Sequence, residues 1–165
     1  MPSEPSIVHR PEQHYVGISE TITMETFDVV ADRIPHLFAW LDARGLTAVG
    51  APFIKLNVID MERELQVEAG VPIAAATAPD REVHCGVLPA GRYLALTSTG
   101  SPDQHIAAIA GLFDWAQGQG LTFDKSDTDA GSVWGCRLQV LMTDPSQEPD
   151  VAKHEIENLF LLATD

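Results

Sequence analysis

The chain has 165 residues, enough for one domain with a sizeable core, and its 10 Lys and Arg against 24 Asp and Glu give a formal charge of -14. A surface of that sign repels phosphate backbones and anionic lipid, which argues against direct nucleic-acid or membrane binding. No apolar run approaches the roughly 20 residues that span a bilayer, Met1-Pro2-Ser3-Glu4-Pro5 lacks a signal-peptide pattern, and Cys85 and Cys136 are too few for a disulfide framework, so a cytoplasmic protein with reduced, buried cysteines is expected.

In chain order, Tyr15 to Thr23 has strand composition, and a helical stretch follows from about Thr26 to Arg44, closed by Gly45. Pro35 predicts a break inside it, with Ile34-Pro35 opening the main helix. Phe53 to Asp60 alternates, Ile54, Leu56 and Val58 on one face and Phe53, Lys55 and Asn57 on the other. Glu64 to Ala69 alternates too, predicting a hairpin across Met61-Glu62-Arg63. Arg81 to Val87 and Arg92 to Ser98 flank the Pro89-Ala90-Gly91 turn and read as a second hairpin. Ser101-Pro102-Asp103 caps a helix with Ile106, Ile109, Phe113 and Ala116 on one side, ending in Gly118 and Gly120. Asp124 to Ser132 reads as a polar loop. Cys136 to Thr143 alternates, with Cys136, Leu138, Val140 and Met142 opposing Arg137, Gln139, Leu141 and Thr143, and a final strand from about His154 to Leu162 follows the Asp144-Pro145 turn.

Ten residues occur twice, Leu37 to Leu46 and Leu112 to Leu121, with Leu, Phe, Trp, Gly and Leu at matching places. Each half reads strand, helix, strand, strand, with one additional strand from Arg81 to Val87 joining them. The expected fold is therefore α+β: duplicated βαββ units, about 5–76 and 80–165, in one domain over 1–165. They are expected to pack with pseudo-twofold symmetry, as antiparallel sheets with the two long helices on one face and a ligand cleft between the halves.

Glu68-Ala69-Gly70-Val71-Pro72, Leu88-Pro89-Ala90-Gly91-Arg92-Tyr93, the Gly100 junction, Leu112-Phe113-Asp114-Trp115 with Gly120-Leu121, and Met142-Thr143-Asp144-Pro145 together cover nearly the whole chain. In order and spacing they resemble the GyrI-like small-molecule-binding domains, which also serve as effector domains of BmrR-type and Rob-type activators. The resemblance implies a cavity between the halves, often taking aromatic or cationic compounds, in proteins that act as sensors, as sequestering proteins or as hydrolases of strained electrophiles. Members that bind cations carry a glutamate where this chain has Gln139, and an aromatic where it has Leu141. Arg137 and Lys55, expected on the same face as Gln139, turn the expectation toward neutral or anionic ligands.

Glu68 is the carboxylate that could orient a ligand or act as a base, or could simply pair with Lys55 or Arg137. Tyr15 and Tyr93 hold comparable places on the first strand of each half, and Phe53, Trp134 and Phe160 are candidate walls, completing a predicted ligand-binding set with Lys55, Glu68, Arg137, Gln139 and Leu141. His84 and Cys85 point to opposite strand faces, so a thiol nucleophile is not expected. The histidines lack zinc spacing, and neither metal nor cofactor is predicted. No DNA-reading helix-turn-helix is recognisable, which favours a free-standing ligand domain. Three functions compete: a small-molecule sensor or sequestering protein, a hydrolase using Glu68 or a tyrosine, and a gyrase-inhibitor-like protein that acts through a protein partner.

Overall fold

Both helices end where the repeated glycine stands. Gly45 and Gly120 take φ of 68° and 70°, a left-handed conformation that costs glycine nothing. The chain then folds back in the same way, Leu46 N–H donating to Leu41 O at 2.9 Å and Leu121 N–H to Ala116 O at 3.0 Å.

The computed structural model describes residues 4–23, 25–60, 62–129, 131–144 and 147–163. The elements are β1 (Ser6–Arg10), β2 (Gln13–Ile22), α1 (Phe27–Ala31), α2 (Arg33–Ala43), β3 (Phe53–Ile59), β4 (Leu65–Pro72), β5 (His84–Leu88), β6 (Gly91–Thr99), α3 (Pro102–Gly118), β7 (Lys125–Thr128), β8 (Gly131–Trp134), β9 (Arg137–Leu141), a short 3-10 turn (Val151–Lys153) and β10 (Glu155–Leu161). The predicted break is at Asp32, between α1 and α2, and Pro35 lies in the first turn of α2, where its missing N–H is not needed. Ser101 forms a capping box with Gln104 at the start of α3.

The sheet is antiparallel, in the order β1-β6-β10-β9-β3-β4-β2-β5, with the β7-β8 hairpin attached to β3. β2-β4-β3 from the first half meets β9-β10-β6 from the second at the β3–β9 ladder. Three parts of the sequence reading change. The polar stretch 124–132 forms the β7-β8 hairpin, and Ser6–Arg10 forms an edge strand, because backbone pairing organised segments without an alternating pattern. β5 and β6 do not form a hairpin: β5 pairs with β2, while β6 lies between β1 and β10.

That correction explains the shape. β1 and β2 are near opposite ends of the strand order, yet only Pro11 and Glu12 join them, and only Pro89 and Ala90 join β5 to β6. Such a link reaches about 10 Å, so the sheet must curl until its edges approach. Val8 of β1 and Leu88 of β5 accordingly pack on the same inner cluster.

The outer face carries α2 and α3, with Leu37, Leu41, Leu112 and Ala116 packed on Val16, Ile54, Leu56, Val67, Leu94 and Phe160. The inner face carries Tyr15, Phe53, Leu88, Tyr93, Leu138, Leu159 and Leu161. These side chains pack together as a second buried cluster on the inside of the curl. A register shift between Leu56 and Val58 pairs Val58 with Gln66 and breaks the predicted alternation of β3. The β3–β4 hairpin forms as expected; Met61 in its turn and Pro145 of the Asp144-Pro145 corner lie outside the described residues.

Candidate functional site

Glu68 is 6% exposed on the inner face of β4, beside Ser19 of β2 and Lys55 of β3. An ionised carboxylate has about four acceptor positions and in a buried place needs donors for them. Four groups converge. Tyr15 Oη donates to Oε1 at 2.6 Å, and His84 Nε2 reaches the same oxygen at 2.6 Å, so the ring proton belongs on Nε2. Asn57 Nδ2 donates to Oε2 at 2.6 Å, and Lys55 Nζ is 3.6 Å from Oε2 while donating to Asn57 Oδ1.

Each donor has a local cause. Asn57 falls where β3 shifts register, which sets its amide against Glu68. Tyr15 reaches Glu68 because its ring lies along the sheet over glycines: a Cβ on Gly86 would stand 2.7 Å from the ring, and one on Gly17 3.1 Å. Phe53 lies likewise over Gly70 and meets Tyr15 edge-on at 5.3 Å between centroids. His84 is on β5, which only the pairing with β2 brings beside Gly17.

Burial alone would raise the pKa of Glu68, but hydrogen bonds from Tyr15, Asn57 and His84 and the charge of Lys55 outweigh it and hold the carboxyl below its ordinary value. Tyr15 is driven the other way, by burial first and then by the Glu68 charge, and stays a neutral phenol. An open recess of about 460 Å³ adjoins the cluster, lined by Ser19, Glu20, Thr21, Asn57, Gln66 and Val67. The group can hold a ligand by hydrogen bonds around a fixed negative charge, with aromatic rings beside it.

Of the predicted ligand-binding residues, Tyr15, Phe53, Lys55, Glu68 and Tyr93 share the inner face. Tyr93 is fully buried there, its hydroxyl donating to Pro89 O at 2.7 Å. Arg137, Gln139, Leu141, Trp134 and Phe160 do not join them. Lys55 pairs with Leu138 across the β3–β9 ladder, so Leu138 points inward and Arg137, Gln139 and Leu141 take the helix-covered side. Trp134 and Phe160 also belong to that outer core. Arg137 therefore cannot pair with Glu68; its guanidinium packs over Trp134 at 4.7 Å, Phe160 at 4.8 Å and Phe113 at 5.6 Å. Burial pushes it down to about 10. A desolvated cation–π contact is worth about 2 kcal/mol, against several kcal/mol to bury an ion, so the rings offset its burial only in part.

Sequence reasoning missed Asn57 and His84. Asn57 does share the predicted strand face of Phe53 and Lys55, but nothing local reports the pairing that brings His84 in. His84 and Cys85 do diverge as predicted: Cys85 Sγ turns to Thr77 O at 2.8 Å. Among the described residues no cluster of three metal-ligating side chains gathers, and no helix is long and apolar enough to cross a membrane.

No curated protein matches the chain by sequence. Among solved structures, the EcmrR C-terminal domain superposes with a TM-score of 0.77 at 15% identity, over 98% of both chains. In a longer EcmrR chain solved with DNA, the match spans 58% of that chain. SAV2435 bound to tetraphenylphosphonium gives 0.66 at 9% identity over 98% of this chain and 94% of that one. A hydrolase from Listeria innocua gives 0.67 at 12% identity over 97% and 92%. At these identities the likeness concerns the fold. Residues 3–130 match the family described as the GyrI-like small molecule binding domain, and the chain belongs to that family.

Proposed function

We propose that the protein is a sensor or sequestering protein for small hydrophobic or aromatic molecules, held in the recess beside Glu68. The observation that carries this reading is the Glu68 cluster: a buried carboxylate with four converging donors, two aromatic rings and an adjoining recess is more polar organisation than packing requires. The balance of charge narrows the ligand. Lys55 already neutralises Glu68 at 3.6 Å, so a cationic ligand would have to displace it, whereas a neutral one needs only a hydrogen bond from the second N–H of Asn57 or to Nδ1 of His84.

Thermal-shift titration with neutral aromatic compounds and with tetraphenylphosphonium as the cationic probe tests this. Neutral compounds are expected to raise the Tm with a saturable dependence that Glu68→Gln weakens. Tighter binding of the cation would overturn the neutral preference, and the absence of any saturable shift would overturn the binding reading.

Hydrolysis of an electrophilic ligand is the second reading, favoured by the meeting of the Tyr15 hydroxyl and the His84 ring on one oxygen of Glu68, a proton-transfer arrangement. A carboxyl held below its ordinary value is a weak base, which ranks this reading second. Turnover of a strained-ring substrate, abolished by Glu68→Gln, would reverse the order.

A further inference from the structure

Arg137 and Trp134 stand on the opposite side of the sheet from Glu68, and beyond the stretch that the family match covers. Both are about nineteen-twentieths buried, at 5% and 6% exposure. Both leave a hydrogen-bond donor without a protein acceptor: Arg137 Nε and Trp134 Nε1 find none. No carboxylate within ion-pair distance balances Arg137 among the described residues. Its guanidinium carbon lies over the rings of Trp134, Phe160 and Phe113, none of which offers an oxygen to the N–H groups. A second cation, Lys125 Nζ, lies 5.7 Å from the same indole.

Two orphaned donors on adjoining side chains, one of them a buried cation, are the complement of an oxyanion. Aromatic faces accept an N–H only weakly, so they are a poor substitute for oxygen acceptors. The setting is convergent: Arg137 comes from β9, Trp134 from the β7-β8 hairpin and Phe113 from α3. β7 is exposed along its whole length, leaving this corner covered by a thin hairpin.

We propose that Arg137 and Trp134 form a binding site for a small oxyanion, a carboxylate or phosphate group, at the junction of α3, β8 and β9, separate from the recess at Glu68. The guanidinium edge takes one or two anion oxygens and the indole N–H a further one. The site does not depend on what binds at Glu68.

The test uses the full chain labelled with 15N at tryptophan and follows the three indole N–H resonances while sodium phosphate or sodium acetate replaces sodium chloride at constant ionic strength. The Trp134 resonance, assigned by its loss in Trp134→Phe, is expected to move saturably with one or both anions, and the Tm to rise in parallel. Arg137→Met is expected to abolish both responses, and Trp134→Phe to weaken the Tm response about tenfold in anion concentration. Phosphate alone, acetate alone or both support the site and tell which source of oxygens it takes. A Trp134 resonance that stays still, or that drifts in proportion to added salt, overturns it, as does a response that survives in Arg137→Met. If neither variant folds, the titration of the unaltered protein decides.

Discussion

The hydroxyl of Tyr15 lies 2.6 Å from Oε1 of Glu68, although strand register puts Ser19, and not Tyr15, beside Glu68. The ring spans the difference by lying along the sheet. Tyr15→Phe removes the donor and leaves the oxygen to His84, at an expected cost of about 1–3 kcal/mol in urea unfolding. The loss in the double variant with Glu68→Gln should be smaller than the sum of the two single losses, because both remove the same bond.

Gly70 and Gly86 are the floors on which Phe53 and Tyr15 rest. A methyl at Gly70 would stand 2.5 Å from two atoms of the Phe53 ring, and one at Gly86 2.7 Å from Tyr15. These rings are buried and cannot swing freely, so Gly70→Ala and Gly86→Ala should each cost about 1–3 kcal/mol in calorimetry. Gly86→Ala should also weaken any ligand that depends on Tyr15.

Glu68 confers a stability that acid removes. Its folded pKa lies below the ordinary carboxylate value of 4.5, so the ionised form is favoured by folding. That contribution is complete above about pH 4.5 and disappears as pH falls through the folded value. Chemical unfolding from pH 7 downward should show a steeper acid loss in the unaltered protein than in Glu68→Gln.

His105 acts in a higher window. It is 7% exposed, with Nδ1 2.6 Å from Ser98 Oγ, and burial lowers it from the usual 6.5. Folding favours the neutral ring, so its contribution is present above pH 6.5 and lost as pH drops toward the folded value. His105→Gln should flatten the dependence of Tm on pH between about 7 and 5.

At Gly45 and Gly120 an added Cβ would meet no atom within 4 Å, so only backbone strain opposes a side chain there. Gly45→Ala and Gly120→Ala should each cost about 1–2 kcal/mol, and Gly→Asn less, in thermal unfolding.

The elements were largely readable from sequence because their signals are local: Gly45 and Gly120 end helices, Pro35 marks a first turn, and Phe53 to Leu56 alternates. The candidate site was readable by half. Lys55 and Glu68 declared themselves through strand parity and Tyr15 through its place on the first strand, on elements that do pair, β2, β3 and β4. Arg137 was misplaced because parity within β9 says which residues share a face but not which face turns inward; that depends on Leu138 meeting Lys55 across the ladder. His84 was missed because β5 pairs with β2 and not with β6, the strand that follows it, a choice of partner that no short stretch of sequence encodes.

The pairing of Ser6 with Ala95 in the β1–β6 ladder has a consequence for synthesis. β1 is synthesised well before β6 and waits, unpaired, until β6 has emerged. During that interval Ile7, still 40% exposed in the finished protein, is a sticky strand without a neighbour. Charged Arg10 in the same strand, and Pro11 just after it, are the features that keep the nascent chain from pairing with another copy.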